Sequence, residues 1–307
     1  MSGRWFGLVA SCALVLGISV VAAGRPDLRV ERSIFLTVLD KDNAPIRGLQ
    51  PADFVVREDG EKREIIRVTA PEDPLFVSLL IDTSKPPIGV DAAVQDLRKA
   101  LLTFVQTVQG ASADAEIAMI EFAGAAVTTV NFTKDTAALE KQIKRLFPSQ
   151  RASGVMLEAF IEASKALGKR ASPRRAIVSL NFASAEASTV QPKNVADEIR
   201  KSGATVWAVS VQGASEASAY QAGANALDNK LSPTREQILN VSTAATGGMR
   251  LTAVSPVALD GMFKKIADCL TSQYVVTYAQ PAGAPAQTQI TPSARGAAKV
   301  LMAPWMQ

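Results

Sequence analysis

Between residues 73 and 280, hydrophobic runs of strand length alternate with amphipathic segments of helix length. "LFVSLLID" leads into Val90–Val108, where Val90, Val94, Leu97, Leu101, Phe104 and Val108 recur at helical spacing. "AEIAMIEFA" and "AVTTVNFT" read as two strands joined at Gly124 in an antiparallel hairpin. Helical segments follow at Thr136–Leu146 and Val155–Leu167, then strand "RAIVSLNF", then helix Pro192–Lys201 ended by Gly203. "ATVWAVSV", helix Thr234–Ala245, "MRLTAV", helix Pro256–Leu270 and "QYVVTYA" complete the series. Such alternation predicts an α/β fold, a doubly wound and mostly parallel sheet with helices on both faces.

The residues before this region have another rhythm. Residues 28–70 carry short β-rich runs at Phe35–Leu39, Phe54–Arg57 and Glu64–Val68, separated by "DKDNAP" and "EDGEK". Asp59-Gly60 is a hairpin signal. A small antiparallel β module is expected, packed on the larger domain, because so few residues make a marginal core alone. Residues 212–233 form a long connection rich in Ala, Ser, Asn and Gly, read as flexible decoration. Residues 281–307 read as a flexible tail in which "KVLMAPWM" could add a strand to the β module. Residues 1–24 read as a secretory signal peptide: Arg4, an apolar run from Phe6 to about Val21, then small residues. The expected location is therefore periplasmic or extracellular, with membrane attachment only if that segment stays uncleaved.

Composition narrows the chemistry. The 307 residues contain no histidine and two cysteines, Cys12 and Cys269. That removes the commonest general base, Ser-His and Cys-His pairs and zinc-type cysteine spacing. No phosphate-binding glycine loop occurs. The net charge of +4 is dispersed, so nucleic-acid binding is not expected. Cys269 shares a helical face with Met262 and Ile266 and reads as core.

One residue asks for a function. Asp82 closes the first strand of the alternating region, where open α/β sheets bind ligands. The order "LLIDTSKP", "EIAMIEFA", "FTKDTAALEKQIKRLFP", "GVMLEAFIEA", "RAIVSLNFA", "IRKSGATVWAVSV" and "AATGG" resembles a von Willebrand factor A-like domain. "VLDKDNAPIRGLQPADFVVREDGEKREI" and "IADCLTSQYVVTYA" resemble a bacterial subgroup of exported, von Willebrand factor A-related proteins with a small β module in front.

The resemblance implies a site for Mg²⁺ or Mn²⁺ built from Asp-x-Ser-x-Ser, a Thr and a second Asp, completed by an acidic side chain of a partner protein. Here Asp82 and Ser84 match, Pro86 stands at the second Ser, Gly154 (beside Ser153) near the Thr, and Phe182 at the second Asp. The site is degenerate, and no metal or other cofactor is expected of so few oxygen ligands. Asp82 and Ser84 can serve turn hydrogen bonds. Phe182 is either buried or, with Lys85, part of an apolar patch edged by charge. The leading expectation is an exported, non-enzymatic protein-interaction module with Asp82, Ser84, Lys85 and Phe182 at the partner contact and no small-molecule substrate. The alternative is a metal-dependent adhesion domain whose site is repaired by Glu186 or Glu158.

Overall fold

The computed structural model describes residues 29–84, 90–148, 153–211, 232–281 and 289–304. Residues 1–24, expected to be a leader, Lys85, Pro86 and almost all of the 212–233 connection lie outside them.

The chain opens with β1 (Arg29–Leu39), β2 (Phe54–Glu58), β3 (Glu61–Arg63) and β4 (Ile65–Thr69). β2 and β3 form the expected hairpin, Glu58 opposite Glu61, across a two-residue turn. Asp59 and Gly60 both have positive φ, 51° and 86°, the backbone that a tight hairpin turn demands.

The alternating region then yields β5 (Phe76–Asp82), α1 (Val90–Ala111), β6 (Glu116–Phe122), β7 (Ala126–Thr133), α2 (Thr136–Arg145), the two-residue β8 (Ser153–Gly154) and α3 (Met156–Gly168). It continues with β9 (Arg175–Phe182), the two-residue β10 (Ala185–Glu186), α4 (Pro192–Ser202), β11 (Thr205–Val211), α5 (Pro233–Ala245), β12 (Arg250–Ala253) and α6 (Leu259–Thr271). Six strands form one sheet in the order β12-β11-β9-β5-β6-β7. All its pairings are parallel except that of β7 with β6.

The two-residue period of the strands sorts their side chains between two cores. Val77, Leu79 and Ile81 of β5 face α1, α2 and α6, together with Val178, Leu180 and Phe182 of β9 and Trp207, Val209 and Val211 of β11. Phe76, Leu80, Ile177, Val206 and Ala208 face α3, α4 and α5. Asp82, one residue beyond Ile81, therefore points to the face that α5 covers.

The end of the chain departs from expectation. β13 (Tyr274–Pro281) does not join the large sheet. It lies antiparallel between β1 and β4 in a four-stranded sheet of order β15-β1-β13-β4, in which β15 (Lys299–Met302) pairs with β1. β14 (Ile290–Ala294) pairs with β2 in a second sheet of order β14-β2-β3. Residues 290–294 and 299–302 are thus strands rather than a flexible tail, and "KVLM" does dock on the β module. The reason is edge pairing: β1 and β2 each offer backbone groups that these segments satisfy.

The two small sheets enclose Ile34, Leu36, Val38, Phe54, Val56, Val276 and Tyr278. Glu58 is buried among them and accepts from Arg32 Nη1 at 2.9 Å, Arg63 Nε at 3.0 Å and Gln280 Nε2 at 2.7 Å. A carboxylate buried without such partners would be costly. It also joins β2 of one sheet to β1 and β13 of the other.

Candidate functional site

The parallel strands all end on one side of the sheet, and Asp82 sits there at the end of β5 with no exposed surface. Its Oδ1 accepts from the Ser84 backbone N–H at 2.9 Å and from Ser84 Oγ at 2.5 Å. Ser84 is thus a turn partner of Asp82, the local Asp–Ser geometry that short polar side chains favour. Asp82 Oδ2 accepts from the Phe182 backbone N–H at 3.1 Å and from Arg235 Nη1 at 2.8 Å.

Arg235 is the residue that sequence reasoning missed. It lies in the first turn of α5, after Ser232, whose Oγ accepts from the Arg235 backbone N–H at 3.3 Å, and Pro233 at the first helical position. Its side chain is fully buried. Besides Asp82, Nη1 donates to Ser184 Oγ at 2.6 Å and to the Phe182 carbonyl at 3.3 Å. Nε donates to Glu186 Oε2 at 2.7 Å. The guanidinium carbon stands 5.8 Å from the centre of the Phe122 ring. One cation is thereby held between two carboxylates. Charge-assisted bonds of this kind are stronger than neutral ones.

Glu186 is fixed in turn. Its Oε1 accepts from the Ser188 backbone N–H at 3.2 Å and from the Ser188 hydroxyl, and that hydroxyl accepts from the Leu157 N–H at 3.2 Å at the start of α3. β10 pairs with β8, setting Glu186 opposite Gly154. Gly154 abuts the guanidinium: a Cβ built on it would lie 2.6 Å from Arg235 Nη2. Glu158 is engaged elsewhere, with Oε1 accepting from the Thr189 N–H at 2.8 Å.

These distances test the fit of a divalent cation. Both oxygens of Asp82 are committed, and Arg235 supplies the counter-charge. Among the described residues, no group of three or more His, Cys, Asp or Glu side chains converges on a point. A second cation beside the guanidinium would meet like charge and lack the oxygen shell that Mg²⁺ or Mn²⁺ requires. The residues do not fit a metal.

The expected contact residues are placed accordingly. Asp82 and Ser84 are 0% exposed and Phe182 is 1% exposed, so as a contact face they are corrected: they lie beneath the surface. The reason is the inward pull of Arg235 on Asp82 and the packing of Phe182 against the α1, α2 and α6 side. Glu186, considered as a replacement metal ligand, does reach the site but binds the guanidinium instead. Among the described residues of this rim, Ala185, Ala187 and Thr189 are exposed. Gly154 was the available signal: a residue without a side chain at the Thr position means that something else fills the space.

A family model for the von Willebrand factor type A domain matches residues 77–242. No curated protein matches. Among solved structures, a von Willebrand factor type A protein from Catenulispora acidiphila is 13% identical, with a TM-score of 0.51, and the match covers 92% of this chain and 76% of that one. The von Willebrand factor domain of a type V pilus tip protein from Porphyromonas gingivalis is 14% identical, with a TM-score of 0.48 over 64% of this chain and 95% of the other. A conserved hypothetical protein from Bacteroides thetaiotaomicron is 17% identical, with a TM-score of 0.47 over 64% of this chain and 100% of its own. These likenesses concern the fold.

Proposed function

We propose that this chain, which belongs to the von Willebrand factor type A domain family, is an exported, non-enzymatic protein-interaction module of adhesion or scaffold type that works without a divalent cation. The observation that carries this reading is the ion pair of Arg235 with Asp82 at 2.8 Å and with Glu186 at 2.7 Å. It supplies from within the chain the positive charge that a metal would otherwise bring to the strand ends.

Chemistry at the same place is disfavoured. Asp82 is saturated by four hydrogen bonds and cannot approach a substrate as a nucleophile. Cys269 is buried, and burial, the largest cause, pushes its thiol up to about 12, so it carries almost no thiolate near neutral pH. In a groove of about 440 Å³ along α1, the cations Lys99 and Lys144 are already paired with Asp260 at 3.2 Å and Glu140 at 3.7 Å, so these charges serve surface ion pairs. Export rests on the predicted leader at residues 1–24. Among the described residues, no helix is long and apolar enough to cross a membrane.

The surface proposed for contact is the rim around β10, where Ala185, Ala187 and Thr189 are exposed directly above the Arg235 cluster. The test is crosslinking of the full chain to surface proteins of its source, in Mg²⁺ and in EDTA. Alongside it run Ala185→Arg and Ala187→Arg variants shown by melting temperature to be folded. The same captured protein in both buffers, lost in the rim variants, is the expected result. Capture that disappears in EDTA would restore the metal-dependent reading. Capture unchanged by both rim substitutions would remove the proposed surface.

A further inference from the structure

Gly154, which stands near the Thr of the pattern this chain resembles, lies against the Arg235 guanidinium. We infer that Arg235 is a covalently tethered replacement for the divalent cation and that Gly154 is the space matched to it, so that the two residues form one compensating unit. Three observations on separate elements support this.

The first is charge placement. Arg235 sits in the first turn of α5, where the helix dipole disfavours a cation. Burying it there is tolerable only because Asp82 and Glu186, from two other chain segments, meet it at 2.8 and 2.7 Å. The second is shape. A side chain at 154 would put its Cβ 2.6 Å from Nη2, closer than real Cβ contacts come, and 3.6 Å from Asp82 Oδ1. A threonine, which the family pattern places near this position, cannot coexist with the guanidinium unless one of them moves. Glycine at 154 therefore lets the guanidinium keep its place between the two carboxylates. The third is the unused donor. Nη2 is buried and, among the described residues, has no hydrogen-bond partner. Nη1 and Nε already meet the two carboxylates, so this third arm adds volume rather than a bond, and it is the arm that lies against Gly154.

The consequence is a preset rim. The single guanidinium ties the end of β5 through Asp82, the end of β9 through Phe182, the segment after it through Ser184, β10 through Glu186, and α5 through its own backbone. In a metal-built site these segments would gain such a tie only when the ion binds. Here they hold it permanently. Arg235 is thus a positioning residue, and its role does not depend on whether the rim contacts a partner.

A double-mutant cycle with an ion titration tests the unit, read by melting temperature so that it stays separate from any partner assay. In the otherwise native full chain, Gly154→Thr is expected to lower Tm by about 5 °C or more, as overpacking of a buried contact does. In the Arg235→Ser background the same substitution costs far less, because the occupant of its space is gone. The Arg235→Ser/Gly154→Thr protein, which then offers Asp82, Glu186, Ser84 and the hydroxyl added at 154, is expected to gain Tm on adding Mn²⁺ by mass action, while the wild type does not shift. Additive costs of the two substitutions would overturn the pairing. A Mn²⁺ response in the wild type, or none in the double variant, would overturn the replacement. If Arg235→Ser does not fold, Arg235→Lys with Gly154→Ala gives the same cycle: lysine has no Nη2, so the alanine should cost stability beside arginine and little beside lysine. Equal cost in both backgrounds would refute the unit.

Discussion

Asp82→Asn is the most informative single change because it alters charge and leaves size almost untouched. The native carboxylate has two donors on each oxygen: Ser84 N–H and Oγ on one, Phe182 N–H and Arg235 on the other. An amide must turn its NH₂ toward one of these pairs. Facing Phe182 and Arg235, it opposes two donors that cannot reverse. Facing Ser84, it opposes a backbone N–H, and only the hydroxyl can rotate to accept. Either orientation therefore loses at least one bond and all of the ionic attraction, leaving Arg235 with Glu186 alone. Breaking one partner of a buried pair costs about 3–5 kcal/mol. The retained shape and carbonyl oxygen put this variant at the lower end, about 3 kcal/mol, which is roughly 6–12 °C in Tm for a chain of this size. Urea denaturation read by circular dichroism measures it, with a lowered midpoint at an unchanged slope. A loss below about 1 kcal/mol, the size of an ordinary substitution, would refute the idea that the Asp82–Arg235 pair closes the sheet end.

Other outcomes follow from residues away from the site. Glu58→Leu removes the buried carboxylate that Arg32 and Arg63 both meet and should destabilise the chain by about 3 kcal/mol, measured by the same urea denaturation. Tyr278 is fully buried, and burial, ahead of its charged neighbours, raises its phenol from 10.0 to about 12. The neutral phenol is the form the fold holds, so its contribution is complete below pH 10.0 and is lost as pH rises through about 12. Tyr278→Phe should flatten that alkaline limb of the stability curve, and an unchanged limb would count against it. Glu236 is held below its usual value of 4.5, first by the hydrogen bond from Arg250. That contribution is present above pH 4.5 and lost as pH falls below it, so Arg250→Gln should make acid unfolding less steep there. Cys269, in a chain beginning at Arg25, should resist a thiol reagent until the protein unfolds, and rapid native-state labelling would contradict its burial.

Much of the architecture is legible in local pattern. The helical periods of α1 and α3, the mainly hydrophobic and fully buried β5 and β11 and the Asp59-Gly60 turn all appear in the structure where the sequence predicts them. These features are written within single segments, so reading one segment at a time finds them. The destination of β13 is not, because "QYVVTYA" is equally apt for either sheet and only its long-range partners, β1 and β4, decide. The strand at 290–294 escapes the sequence reading for a related reason. A Pro- and Ala-containing stretch carries a weak strand signal, and the open edge that recruits it lies more than two hundred residues earlier.

The site divides the same way. Asp82 and Ser84 are visible as a motif remnant, and the losses at Pro86, Gly154 and Phe182 are visible as gaps. What fills the gaps is not. Arg235 lies 153 residues from Asp82, on a helix whose first turn reads as an ordinary Ser-Pro start with a surface arginine. A buried arginine has no periodicity of its own to betray it, since its burial depends on carboxylates supplied by other strands.

The central claim is that a guanidinium occupies the place of a metal ion at the end of β5. Its most direct measurement is an anomalous difference map at the manganese edge, from crystals of the full chain grown in millimolar Mn²⁺. The account predicts continuous density for Arg235 between Asp82 and Glu186 and no anomalous peak beside either carboxylate. A manganese ion bound to Asp82 and Ser84, with Arg235 swung away, would contradict it.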